Sequence, residues 1–443
     1  MTTATLPARS TGAPVVPFAD LMAEGARTTA PAWLAALHRR GAERFAATGL
    51  PTSKEEDWRF TPVQGLARED FRAAGRATLV TAEALSPFLL GSDDGALVVV
   101  VDGRFDASLS RIPALRPGVQ IMSLAAAIVQ GVPEVEAHLG QYATVEVTPF
   151  AALNGALFTD GFFLHLAADI AIESPIQVIH LSTGAVPVVA PRSLLLVGRG
   201  ARAMVVESFA SLGTASCFTN GVTEIVLGRN ARVEHVRVQR EHAGAWHVGL
   251  TEVSQERDSH YRSFTLALGA KLSRHDLRAR LGAENVETLL YGLYLGRDEQ
   301  LHDNHTAIFH DQPNCNSWEV YKGVMTDRSH AVFNGKVIVQ PIAQKTDAKQ
   351  TNRNLLLSET ARVDTKPQLE IFADDVKCTH GATVGKVDEQ QRYYLKTRGI
   401  AGRVAEGLLI WAFTAEVLAE VTDPGIRETL EKLVRAELET MLG

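Results

Sequence analysis

A cysteine and a histidine separated by one residue are the side chains of this sequence best suited to bind a metal. Cys378 and His380 lie in ADDVKCTHGATVG, from Ala373 to Gly385. Because alternate residues of a strand point to one face, the two side chains would lie about 6–7 Å apart on that face. A thiolate and an imidazole suit iron, zinc or an iron–sulfur cluster. Two ligands do not fill a coordination shell, so further ligands must come from another segment or another chain.

The spacing alone also fits a buried cysteine beside a histidine that bonds to the backbone. The same stretch contains GATVGK, from Gly381 to Lys386, which only approximates a phosphate-binding loop. That loop needs four residues between its glycines and a Ser or Thr after the lysine. Here three residues intervene and Val387 follows the lysine. We therefore expect no nucleotide on this chain, and any ATP that drives its work would be bound by a partner.

A second group of candidate ligands lies in LHDNHTAIFHDQPNC, which contains His302, His305, His310 and Cys315. His302 and His305 would face opposite sides of a strand, because their separation is odd. This parity argues against a shared metal site and favours histidines in turns or on the surface. Cys217 and Cys315 are expected to be small buried hydrophobic residues.

The composition limits the class of protein. A chain of 443 residues can form about two or three structural units with a sizeable core. A net charge of −7 and a pI near 6.1 argue against a nucleic-acid-binding protein. No apolar run approaches the roughly 20 residues of a membrane span, so we expect no membrane association. Three scattered cysteines without a CxxC pattern indicate a reducing, cytoplasmic compartment.

The N-terminal part, residues 1–90, is predicted to be a tail followed by a helical region. The first seventeen residues lack acidic residues and resemble a disordered tail. The next segment places Trp33, Leu34, Leu37 and Phe45 at helical spacing before Pro51. Trp58 and Phe60 are expected to dock this region onto the rest of the chain.

Residues 91–388 are predicted to form a mainly β core, a right-handed parallel β-helix. Short strands separated by Gly, Asn and Asp occupy Gly95 to Gly385 without a helical pattern, which excludes alternating βαβ units. A repeated phrase of strand, turn, Ala with a basic residue, and strand indicates a solenoid. A β-sandwich is the alternative, since irregular spacing also suits Greek-key strands. The phrase occurs in Leu194–Ser208, Glu224–Val238, Leu355–Leu369 and, more loosely, Phe264–Leu277.

A polar segment, Gln344 to Asn354, is expected to lie in stacked turns whose amides bond to the coils above and below, or else in a solvated loop. Residues 389–443 return to a helical pattern. Arg398–Val421 and the segment after Asp423-Pro424-Gly425 form an amphipathic pair. Such a pair would either cap the open end of the β-helix or present a docking surface to another protein.

Common catalytic motifs do not occur in this sequence, which contains no GxSxG, HExxH or GxGxxG. β-Helix polysaccharide lyases and hydrolases place acidic residues on adjacent coils, and pattern alone leaves that function open. Such enzymes usually expose aromatic residues along a groove. Aromatic residues make up only 7% of this chain. A non-catalytic scaffold therefore ranks above a carbohydrate-active enzyme.

Three sequence blocks resemble a known family. ADDVKCTHGATVG and the following YYLKTRGIAGRVAEGLLIWAF resemble the C-terminal signature of the SufB/SufD family of iron–sulfur cluster assembly proteins. Phe333–Asp375 is similar to the last β-helix coils of that family, and SKEEDWRFTPV, Ser53–Val63, resembles the N-terminal phrase of its SufD branch. The EEDWR phrase and the lack of a cysteine before Cys217 favour the SufD branch over the SufB branch.

The resemblance implies a right-handed parallel β-helix flanked by helical regions, acting as a scaffold with a SufB-like paralogue and a SufC-like ATPase. It implies that a transient iron–sulfur cluster, or iron, is bound at the interface with SufB, where the nascent cluster is assembled. His380 would be the histidine facing that cluster, and Cys378 belongs to the same motif at the interface. The chain alone is expected to form a homodimer. SufC would dock on Tyr393–Gly443, with Tyr393, Arg398, Gly399 and Glu406 as candidate contacts.

Overall fold

The computed structural model describes residues 17–25, 30–73, 79–91, 94–183 and 187–443. The expected N-terminal tail therefore lies outside the described residues, apart from Pro17. The helices of the N-terminal half are α1 (Ala19–Gly25), α2 (Ala32–Thr48), α3 (Ala82–Leu85), α4 (Leu124–Val129), α5 (Pro133–His138) and α6 (Pro149–Leu157), with short 3₁₀ helices at Glu56–Trp58, Gln64–Arg68 and Ser86–Phe88.

Helix α2 matches the predicted pattern, since Leu34, Leu37 and Phe45 are buried along one side. Gly41 permits its close approach to α6, because a Cβ there would lie 2.7 Å from the backbone nitrogen of Ala156. The expectation that no helix interrupts Gly95–Gly385 is wrong, because α4, α5 and α6 lie within that span. These helices have only six to nine residues, and α6 is buried almost all round, so none shows an amphipathic period.

In the described residues, twenty-one strands form two sheets. The first sheet contains β1 (Arg72–Ala73), β4 (Val119–Ser123), β5 (Gly161–Leu166), β7 (Pro187–Val189), β8 (Arg192–Val197), β10 (Phe218–Leu227), β12 (Trp246–Gln255), β14 (Leu272–Leu281), β16 (Leu301–His310), β18 (His330–Val339) and β20 (Arg362–Ile371). The second contains β2 (Leu97–Val101), β3 (Arg104–Phe105), β6 (Ile176–Ser182), β9 (Arg202–Ser211), β11 (Arg232–Arg240), β13 (His260–Ala267), β15 (Glu287–Gly296), β17 (Asn316–Met325), β19 (Thr346–Leu356) and β21 (Val376–Gly385).

From β8 onward the chain alternates between the two sheets, so each coil contributes one strand to each. From β5 and β6 onward all neighbouring strands are parallel, and paired residues are 26 to 32 positions apart in sequence. Eight coils stack in this way within the part of the chain that the structure describes. The predicted parallel β-helix with flanking helices is confirmed. The alternative β-sandwich is excluded, because its sheets would be antiparallel.

The repeated sequence phrase marks corners of the coil. Its alanine is buried in every copy and packs in the solenoid core or beside it: Ala201, Ala231, Ala270 and Ala361. The residue before it adopts a left-handed conformation at Gly200 (φ 67°) and Asn230 (φ 59°). Glycine and asparagine tolerate that conformation best.

The polar segment Gln344–Asn354 lies mainly on strand β19 and not in turns. Its amides do bond to adjacent coils, as in Asn352 Nδ2 donating to Tyr321 O at 3.2 Å.

The flanking helices cover the outer faces of the two sheets. Trp58 of the N-terminal region and Phe150 of α6 pack in one cluster with first-sheet residues such as Phe218 and Trp246. The C-terminal helices α7 (Glu389–Thr397), α8 (Gly402–Leu418) and α9 (Pro424–Leu442) follow the solenoid. Buried residues of α8 and α9 pack on the outer face of the second sheet. Of the two alternatives for this helical pair, a cap on the open end is therefore excluded, and the docking surface stays a prediction. Across the described residues, every helix is too short or too polar to cross a membrane.

Candidate functional site

The last coil of the solenoid is formed by β20 and β21. In the described parts of the chain, each of these strands pairs with one neighbour only, β18 and β19 respectively. Their outer edges therefore present free backbone N–H and C=O groups, which are templates for another strand. Exposed apolar side chains lie on this coil and at its corner, namely Ile371, Phe372 and Val384, and Ile342 lies in the turn of the coil before.

Cys378 and His380 both lie on the inward side of β21. Cys378 is in register with buried Ala348 of β19, and His380 is in register with buried Gln350. Cys378 is half-buried against the solenoid core, and burial raises the pKa of its thiol. His380 is exposed. The predicted shared face is present, with the imidazole accessible at the open end and the thiol partly covered.

The GATVGK segment runs through the same edge strand. Gly381–Gly385 is extended and pairs with Thr351–Leu355 of β19. A phosphate-binding loop instead curls around its ligand and leads into a helix. Lys386 lies beyond the strand, 3.6 Å from Glu359 Oε1.

His302 and His310 point into the solenoid interior and are fully buried, so the prediction of turn or surface histidines is wrong for both. Burial lowers the pKa of each to about 4. His305 faces outward, as the parity argument required, and lies 3.0 Å from Asp303. Cys217 and Cys315 are buried as expected. No group of three or more ligating side chains in the described regions is arranged to hold a metal ion.

The sequence analysis did not detect a polar interior in the solenoid. Glu207 is fully buried and accepts from His180 at 3.0 Å, with His235 3.4 Å away. Burial opposes ionisation of this carboxyl, but its two histidine contacts hold its pKa well below the usual range. Arg237 is buried beside His247, and desolvation lowers its pKa to about 10. The available signal was the alternation of His235, Arg237 and Gln239 on β11.

The candidate contacts for an ATPase lie on α7, α8 and the turn between them. Arg398 donates to Tyr394 OH at 3.2 Å, and Gly399 ends the helix with φ 84°. Glu406 Oε2 lies 3.7 Å from Arg392 Nη1. Tyr393 is 69% exposed. These residues therefore lie on one helical hairpin, and their role as contacts for the ATPase stays a prediction.

An apolar surface is exposed on this hairpin. It consists of Tyr393, Tyr394, Val404 and Leu408. Val404 and Leu408 are four residues apart and therefore share one face of α8. Ala405 and Ile410 of the same helix are buried. Helix α8 thus has a buried side and an exposed apolar side.

Family comparisons match most of the chain. The family described as "SUF system FeS cluster assembly, SufBD core domain" matches residues 180–413, and "SufBD protein N-terminal region" matches residues 22–178. An iron–sulfur cluster assembly SufBD family protein of Synechocystis is 34% identical over 89% of each chain. The iron–sulfur cluster assembly protein SufD of Escherichia coli is 34% identical over 87% of this chain and 89% of its own length. SufD of Bacillus subtilis is 30% identical over 66% and 68%.

The chain is a parallel β-helix protein of the SufB/SufD family of iron–sulfur cluster assembly proteins. Two of these three relatives carry the name SufD, and the chain is SufD-like.

Proposed function

We propose that this chain is a non-catalytic scaffold subunit that pairs with a SufB-like paralogue through the open end of its solenoid. The nascent iron–sulfur cluster is the cargo, assembled where the two chains meet. The observation that carries this proposal is the unpaired last coil, with His380 exposed on its inward side. An imidazole suits iron. The incomplete ligand set on this chain fits a site completed by another chain.

The free edges of β20 and β21 support strand pairing with the paralogue. An uncovered edge with exposed apolar residues is an aggregation hazard, and natural proteins cover such edges. The helices of this chain cover the sheet faces instead. A related partner with its own open solenoid end could pair its strands with the free edges of both β20 and β21. In the absence of the paralogue, a second copy of this chain takes its place and forms a homodimer.

The exposed apolar surface on α7 and α8 supports docking of a SufC-like ATPase, with Tyr393, Arg398, Gly399 and Glu406 at the contact. ATP is hydrolysed on that partner, and this chain binds no nucleotide. We propose three functional parts: residues 1–90 as the N-terminal region, 91–388 as the core, and 389–443 as the docking region. The cytoplasm is the expected compartment. The family matches favour this assembly role over a carbohydrate-active enzyme.

The test is co-purification of the chain with SufB and SufC homologues, followed by anaerobic cluster reconstitution. The His380→Ala variant should lose cluster yield, on the order of tenfold or more, while keeping its melting temperature and the complex. His260→Ala is a matched control, since His260 is a partly exposed histidine four coils away on the same sheet. A normal cluster yield in His380→Ala would refute the proposed role of this residue.

A further inference from the structure

The inward column of the second sheet that ends at His380 is polar over its last three coils. Glu319 of β17, Gln350 of β19 and His380 of β21 occupy the same register position. Side chains in such a column are separated by about 4.8 Å, the spacing of neighbouring strands. Glu319 and Gln350 are buried, and His380 is exposed. The column thus leads from the solenoid interior to the open end.

Gln350 is held in place from two directions. Its Nε2 donates to Glu319 Oε2 at 2.8 Å in the coil below. Across the interior it lies against Gly335 of β18, where a Cβ would come within 2.8 Å of Gln350 Cδ. Gly335 is therefore required for space at this position. In this arrangement the amide nitrogen of Gln350 faces Glu319.

The other end of this amide has no partner. Gln350 Oε1 is buried and accepts no hydrogen bond from any described residue. A buried acceptor normally has a donor. The side chain in register above it is the imidazole of His380, which always carries at least one N–H. Histidines that ligate metals usually donate their second N–H to an oxygen acceptor, which fixes the tautomer and the ring orientation.

We propose that Gln350, fixed by Glu319 and Gly335, is a positioning residue for His380. Its Oε1 accepts a hydrogen bond from one imidazole N–H, which leaves the other ring nitrogen unprotonated and directed out of the open end toward the cargo iron. This inference deepens the proposed function and rests on it for the role of His380. The hydrogen bond itself is a property of this chain alone.

The tautomer of His380 provides the direct test. The full-length chain is labelled with ¹⁵N-histidine, long-range ¹H–¹⁵N correlations are recorded, and the His380 signals are identified by their loss in His380→Asn. One tautomer should dominate in the wild type. Gln350→Met, of similar length but without an acceptor, should give a mixture. Gly335→Ala should do the same from the opposite sheet, because it displaces the Gln350 amide without changing β19 or β21.

Asn352→Ala is the matched control. Asn352 is also a buried inward amide of β19, but it lies in register with Ala382. The tautomer of His380 should be unchanged in this variant. An unchanged tautomer in both Gln350→Met and Gly335→Ala would overturn the inference.

Cluster yield separates this inference from the proposed function. Gln350→Met should lower reconstituted cluster yield on the order of tenfold, the usual effect of removing an outer hydrogen-bond partner of a ligand. The positioning role would be refuted if the His380 tautomer is unchanged in Gln350→Met and Gly335→Ala while His380→Ala still lowers the cluster yield. The scaffold function would then stand. Normal cluster yield in His380→Ala would refute the function, whatever the tautomer.

Discussion

Lys322 Nζ, on β17 of the second sheet, donates a hydrogen bond to the carbonyl oxygen of Phe413 on α8 at 2.8 Å. The lysine side chain is buried on the outer face of the sheet and also pairs with exposed Glu416 at 2.6 Å. Desolvation lowers the pKa of Lys322, and the pair with Glu416 opposes that shift. This contact fixes the C-terminal helices to the flank of the solenoid, away from its open end.

Lys322→Ala should destabilise the protein by about 2 kcal/mol, because it removes a charged hydrogen bond and part of the packing under α8. Glu416→Ala should cost less, about 1 kcal/mol, since that carboxylate is largely exposed and the buried ammonium keeps its bond to Phe413. Urea unfolding of both variants measures the difference. Equal costs would mean that the ion pair, and not the hydrogen bond to Phe413, holds the helix.

The solenoid could be predicted from sequence because its corners have a local signature. A buried alanine such as Ala231 follows a residue that tolerates positive φ, here Asn230, and a strand follows at once. Both requirements act within a few residues, so they recur as a short sequence pattern in successive coils. The Cys378–His380 pairing was predictable for the same reason, since strand alternation is a local property.

Long-range packing could not be predicted from the sequence. The amphipathic pattern of α8 indicates a buried side for Ile410, but it does not say which surface covers that side. The inward polar residues of β11, including His235 and Arg237, alternate with valines just as solvent-facing residues do. Only the position of these side chains between the two sheets makes them interior.

Substitutions on the apolar surface of the C-terminal hairpin should weaken SufC binding without unfolding the chain. Tyr393→Ser combined with Leu408→Ser should lower the affinity at least tenfold, because exposed aromatic and aliphatic residues at interface centres carry much of the binding energy. Calorimetric titration with a SufC homologue measures this. Truncation before Tyr393 is a poor test, since it also removes Ile410 and Val434 from the core. Unchanged affinity would place the docking site elsewhere.

The isolated chain should be a dimer through its last coil. Val384→Lys adds a charge beside the free edge of β21 and should shift the chain to a monomer, because edge charges oppose strand pairing. Leu79→Lys is the control, as Leu79 is 98% exposed and lies outside the solenoid strands. Light scattering after size-exclusion chromatography gives the mass. A monomeric wild type, or a dimer that persists in Val384→Lys, would contradict this assignment.

Cys378→Ala should reduce cluster yield less than His380→Ala does, because the Cys378 thiol is half-buried and burial raises its pKa. A protonated, partly covered thiol is a poorer ligand than an exposed imidazole. The substitution should also cost little stability, as alanine keeps a small apolar side chain against the core. Reconstitution of both variants with the same partner preparation compares the yields. A larger loss in Cys378→Ala would make the thiol the principal group of this chain.

Glu319 should make the stability of the protein depend on pH. Desolvation raises the pKa of this fully buried carboxyl from 4.5 to about 7. Between these values the folded state binds the proton more tightly than the unfolded state, so the free energy of unfolding falls as pH rises. Glu319→Gln removes this dependence and keeps an acceptor for Gln350. The free energy of unfolding of the variant minus that of the wild type should therefore be roughly 2 kcal/mol larger at pH 8 than at pH 5. Urea unfolding at both pH values measures the two differences. Glu252 also has a raised pKa, but it is present in both proteins, so its contribution to the pH dependence cancels. Equal differences at the two pH values would show that Glu319 is already ionised in the folded protein, balanced by a positive charge in the interior.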